Sequence, residues 1–210
     1  LSSENSDESK HLGGYSDVGD FNPNIPVSLI IKSKEDCMPC LAEYNDMDDM
    51  YTFINQPFTL LNYSNRQDTI FLDSGTIELK YSLNNNNGLV LINKIVSFSA
   101  DKYINEHYYE INEEVFEYSN NLELLWYGGL RPTEEKEDED ITYGSGIISQ
   151  AGETEDVQAK DSEKNIAREV FKGQTDWVAI RTKYFMSAII AKDPGKYATL
   201  SEHNKNFGNR

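Results

Sequence analysis

Bases are scarce in this chain. Its 210 residues hold 19 Lys and Arg against 36 Asp and Glu, a formal net charge of −17. No basic cluster of about five to eight residues occurs, and such clusters are what displace counterions from phosphates. DNA and RNA are therefore excluded as direct partners, and the net charge argues against attraction to an anionic lipid surface. Long apolar runs are missing too. The longest apolar-rich stretch, Asp176–Ile190 (DWVAIRTKYFMSAII), falls short of the roughly 20 residues of a spanning helix and includes Arg181 and Lys183. This segment itself is not expected to cross a membrane. The opening LSSENSDESK lacks the apolar centre of a signal peptide. Because the first residue is not Met, this says nothing of the parent reading frame.

Cysteine and histidine are equally sparse. Cys37 and Cys40 stand as Cys-Met-Pro-Cys, and the histidines are His11, His107 and His203. A C-x-x-C pair works as a redox motif where it opens a helix after a strand. No βαβ pattern continues from it here, so the pair reads as a local disulfide or as free thiols in a loop. Zinc wants four ligands, and the histidines lie far from the pair in sequence. The acidic stretch Asn45–Met50 (NDMDDM) lacks the Gly and the closing Glu of a calcium loop and reads as a solvated loop. No nucleophile elbow, phosphate loop or H-E-x-x-H motif is present. A mutarotase-like reaction would want a His with a Glu near neutral pH, and only His107 falls in the β-rich region. No catalytic residue, cofactor or metal is expected, and the chain reads as a non-enzyme.

What the chain does hold is β patterning, with an aromatic share of 11% that argues against general disorder. Residues 1–24 are polar and Gly-bearing and read as a flexible arm. Val27–Ile31 is a first strand candidate, followed by short apolar runs at Phe58–Tyr63 and Thr69–Leu72. Thr76–Leu83 alternates, with Ile77, Leu79, Tyr81 and Leu83 on one face. Asn84–Gly88 is a turn, and Leu89–Phe98 returns, so residues 76–98 predict a β-hairpin. Alternation resumes over Tyr109–Tyr118, then Leu122–Tyr127 forms a strand ended by Gly128-Gly129. The run 133–140 (TEEKEDED) reads as an acidic loop, Ile141–Ser149 as a strand, and 150–168 as a polar loop with one helical turn. Asp176–Ile190 fits helical or strand spacing alike. Amid so many strands, one long strand is expected there, then a turn at Asp193-Pro194-Gly195 and a polar tail over 193–210.

Two dense blocks carry a family resemblance. The strand pair at 76–98 is followed by Leu122-Glu-Leu-Leu-Trp-Tyr-Gly-Gly-Leu-Arg-Pro-Thr-Glu134, by acids around Glu139-Asp140, and by Tyr143. Asp176-Trp-Val-Ala-Ile180 then precedes Lys183-Tyr184-Phe185 and the small apolar run Ser187–Ile190. Over roughly residues 70–192 this resembles the large periplasmic domain of YidC-type membrane protein insertases in its Bacteroidetes-like form. The resemblance implies a mainly β fold, a twisted antiparallel β-supersandwich similar in shape to galactose mutarotase, over residues 25–192. It implies a non-catalytic domain at the periplasmic face of the bacterial inner membrane, in a multi-pass parent that assists insertion and folding of membrane proteins with or without the Sec translocon. Nascent membrane proteins and Sec translocon accessory subunits are the partners it implies. Its structural signature falls on Trp126, Gly128, Gly129, Arg131, Trp177, Tyr184 and Phe185, of which Trp177, Tyr184 and Phe185 are expected to anchor the core. Residues 1–57 match that pattern poorly. Family domains also continue well past the Tyr-Phe pair, so a sandwich truncated at its C-terminal end, or a short member, is expected. The alternative is a secreted carbohydrate- or peptide-binding β-sandwich using Trp126, Tyr127 and Trp177 as stacking platforms.

Overall fold

A computed structural model describes residues 12–15, 21–26, 39–45, 50–53, 57–63, 70–116, 122–126, 130, 143–158 and 166–203. In chain order the elements are β1 (Leu12–Tyr15), β2 (Phe21–Pro26), β3 (Cys40–Asn45), β4 (Met50–Phe53), β5 (Thr59–Leu60), β6 (Thr76–Asn84) and β7 (Val90–Ser99). Then come β8 (Asn105–Ile111), α1 (Glu113–Phe116), β9 (Leu122–Leu125), β10 (Ser145–Gln150), β11 (Glu153–Gln158), β12 (Ile166–Arg181) and β13 (Met186–His203). Every pairing among these strands is antiparallel, and α1 is a single helical turn. The fold is mainly β, consistent with a β-sandwich. Two compact units share the chain: Met38–Leu125, and Leu1–Cys37 together with Trp126–Arg210.

The Met38–Leu125 unit holds two sheets, β4-β3-β9 and β5-β6-β7-β8. In β3 the period of two buries Cys40, Ala42 and Tyr44, at 1%, 0% and 8% exposure. Cys40 is disulfide-bonded, so of the two readings of that cysteine the free thiol does not hold; Cys37 lies outside the described residues. The hairpin expected at 76–98 is β6 and β7, with Ile77 opposite Phe98 and Leu83 opposite Ile92. Its turn is held by Asn85, whose Oδ1 accepts from the amides of Asn87 and Leu89, and by Gly88 at φ 83°. Leu83, Ile92 and Val96 are buried on the inner face. Fully burying an aliphatic side chain of this size contributes about 1.5–3 kcal/mol.

In the other unit β1 pairs with β2, and a four-stranded sheet runs β11-β10-β12-β13. Among its described residues the buried apolar ones are Ile148, Ala179 and Ala198. The long β12–β13 hairpin folds back on itself. Leu200 lies opposite Glu169, whereas Gly146 lies opposite Ile180. A straight strand from Glu169 to Ile180 would separate these pairs by about 35 Å. Yet a Cβ built on Gly146 would meet Leu200 Cδ1 at 2.5 Å and Cδ2 at 2.8 Å. The bend is written into the backbone, where the β12–β13 register shifts between Lys172 and Trp177 and Gly173 has φ 134°. Gln150 plugs it: its Nε2 donates to Phe171 O, Gly173 O and Thr175 Oγ1 at 3.2, 3.2 and 2.9 Å.

Several expectations change. Asp176–Ile190 is neither one strand nor a helix but the turn end of a hairpin, because Thr182 N–H bonds Phe185 C=O at 2.8 Å and reverses the chain. The expected turn at Asp193-Pro194-Gly195 is inside β13, where an outer strand tolerates a proline. Within the stretch read as a polar loop, Glu153–Gln158 forms β11, and β1 and β2 fall in or beside the polar arm; backbone ladders need no apolar side chain. β3 and β4 are further strands beyond those expected. The strand expected through Tyr118 stops at Ile111, since Asn112 Oδ1 accepts the Glu114 amide at 3.0 Å and caps α1. The second short run is not a strand at residues 70–72. Val27–Ile31, the acidic loop at 133–140 and residues 46–49 of the NDMDDM stretch lie outside the described residues.

Candidate functional site

The inner face of β6-β7-β8 departs from its own apolar alternation. Cross-strand partners share a face, and Lys94 of β7 lies opposite Tyr81 on one side and Tyr109 on the other. Beside it Val96 faces His107. A lysine thus takes the inward position between buried Ile92 and Val96, with a histidine and a tyrosine next to it on β8. The Lys94 ammonium sits 5.4 Å from the centroid of the Tyr109 ring. The His107 and Tyr109 rings stack with centroids 6.4 Å apart and 17° between planes. His107 Nε2 lies 3.3 Å from Asn105 Oδ1. His107 Nδ1 and the Tyr109 hydroxyl are buried without a hydrogen-bond partner among the described residues.

Burial dominates the electrostatics of this cluster. It lowers the Lys94 pKa, and it lowers that of His107, with repulsion from Lys94 acting the same way. The Tyr109 phenol is pushed up to about 12 by desolvation. At neutral pH the cluster therefore presents a neutral imidazole, a protonated phenol and an ammonium that makes no ion pair among the described residues. Such a set offers hydrogen-bonding groups and one positive charge rather than a nucleophile or an ionised acid. Sequence reasoning passed over Lys94 because it weighed His107 alone; the available signal was a lysine in the inward phase of an otherwise apolar strand.

The signature residues do not converge. Trp126, just past β9, is half-buried, and its Nε1 has no partner among the described residues. Gly128, Gly129, Arg131 and the stacking candidate Tyr127 lie outside the described residues. Trp177 is half-buried on β12 opposite Ile190, while Tyr184 and Phe185 belong to the turn several residues away. Tyr184 is 61% exposed and so is not a core anchor. It shares the nearby Lys183, whose Nζ is 5.1 Å from the Tyr184 centroid and 5.6 Å from that of Tyr143. On the same hairpin Arg181 spans two strands, its Nε donating to Ser145 Oγ at 2.8 Å and its Nη2 to Asp156 Oδ2 at 2.7 Å. Both partners of the ion pair are substantially exposed, so its contribution is small.

No helix among the described residues is long and apolar enough to cross a membrane. Comparison with known proteins places these sheets in a family. The chain is 33% identical over 95 residues to the membrane protein insertase YidC of Prosthecochloris aestuarii, which is 45% of this chain and 16% of that protein. The chain thus spans only a small part of that relative. No solved structure matches it. The family model described as the YidC periplasmic domain matches residues 24–209, so residues 24–57 of the stretch read as a poor match lie within it. With almost the whole length matched and the antiparallel β architecture in place, the chain belongs to the YidC periplasmic domain family.

Proposed function

We propose that this chain serves a membrane protein insertase as a non-catalytic domain on the periplasmic face of the inner membrane. It supports the insertion and folding of inner-membrane proteins, with or without the Sec translocon, through contacts with nascent chains and with Sec accessory subunits. The family match over residues 24–209 carries this reading. The strongly acidic surface, at −17, suits a domain that stays soluble beside a membrane and meets partners through local surfaces.

The test is made in cells that depend on the parent protein. Residues 24–209 are replaced by a flexible linker, and the folding yield of a multi-spanning client is followed together with cross-linking to Sec accessory subunits. A lowered yield with lost cross-links is expected. Unchanged yield and cross-links would remove the assisting role.

A further inference from the structure

The outer edge of β13 carries features that family membership leaves unexplained. β13 ends its sheet, and among the described residues no strand pairs with its far side. The ladder tells which backbone groups lie there. Thr182 and Phe185 form a bonded pair, and antiparallel pairs alternate between bonded and non-bonded. Ser187 and Ile189, opposite Ile180 and Val178, therefore bond to β12. Met186, Ala188 and Ile190, opposite Arg181, Ala179 and Trp177, turn their N–H and C=O groups to the open side. Their side chains are exposed as well, Met186 at 63% and Ile190 at 67%. No charged residue occurs from Tyr184 to Ala191, in a chain that is 26% charged.

Sheet edges are ordinarily blunted by charge, proline or a covering segment. The other unit does this. Alongside β6, the two-residue β5 is extended by Asn62, whose side chain imitates a strand, donating to Glu78 C=O at 2.7 Å and accepting from Lys80 N–H at 2.9 Å. Along β13, by contrast, Lys192 and Pro194 come only after the apolar segment.

We propose that Met186–Ile190 is a strand-addition site that takes an extended apolar segment of another polypeptide. A row of alternating donors and acceptors is completed by another backbone; lipid phosphates only accept, and acyl chains do neither. The uncharged outward side chains match an apolar sequence. A second copy of this chain is disfavoured, because each copy carries −17. That the occupant is a client of insertion rests on the function proposed above; the edge itself does not.

The probe is a lysine-flanked peptide of alternating Val and Ala, titrated into the whole 210-residue chain while amide hydrogen exchange is followed. Exchange is expected to slow at Met186, Ala188 and Ile190 and to stay unchanged at Ser187 and Ile189. Ala188→Pro removes the central outward amide without touching the β12 ladder, and should weaken binding about tenfold or more. Ala188→Lys, which restores an edge charge, should do the same. The proposal falls if the peptide gives no protection, if Ala188→Pro binds equally well, or if protection grows with protein concentration and no peptide. Those results leave the insertase reading untouched, since the linker replacement decides it separately.

Discussion

The two larger sheets solve the same problem with different residues. β6-β7-β8 is built on alternation: large aliphatics such as Leu83 and Ile92 face inward, Glu78 and Lys80 face out, and Lys94, His107 and Tyr109 interrupt the apolar face. The β10-β12-β13 sheet buries Ile148 but otherwise small residues, among them Ser145, Ser149 and Ala179, and gains contact by bending a hairpin back onto Gly146. The first sheet depends on side-chain volume and the second on a space where volume is missing. Small residues permit close approach but supply little burial of their own, so a bent hairpin has to provide it.

Truncating a fully buried aliphatic should have the largest effect and should sharpen this contrast. Ile92→Ala and Ile148→Ala, at 1% and 2% exposure, are each expected to lose about 2–5 kcal/mol in urea titrations. If Ile148→Ala lost much less, the bent hairpin would not be a packed core. Next in size is Gly146→Ala, whose added methyl must displace Leu200 and should cost about 1–3 kcal/mol. In a Leu200→Ala background that cost should largely disappear; equal costs in both would mean the close approach is not what Gly146 serves.

The smallest effect is a pH dependence confined to the first sheet. The folded His107 has a pKa below the ordinary 6.5, through burial first and Lys94 second. The unfolded chain takes up that proton more readily, so the contribution of His107 is present above about pH 6.5 and is lost as pH falls toward the folded value. Lys94→Met removes the repelling cation and should move the His107 titration upward, followed by NMR of the imidazole. A titration that stays put would detach Lys94 from the cluster.

This difference also explains what could be read from sequence. The 76–98 hairpin was plain because one face is wet and the other dry, so period two shows directly. In Asp176–Ile190 residues of both phases are apolar, which hides the reversal at Thr182–Phe185. β11 was invisible because Glu153–Gln158 lies at an edge and carries the charge that edges carry. The family was readable from ordered blocks around Trp126 and Trp177, yet the cluster of Lys94, His107 and Tyr109 was not, because it is assembled by pairing between strands.

The contact between Gly146 and Leu200 also bears on the order of events during synthesis. Met38–Leu125 is one continuous stretch of chain, whereas the other unit draws on both sides of it. Ribosomes add about 5–20 residues per second, while a β-hairpin closes in roughly 1–10 μs. The continuous unit has all its strands as soon as Leu125 has emerged. The bent hairpin waits for its last residues, so β10 and half of β12 stay for seconds without the cover that Leu200 later gives Gly146.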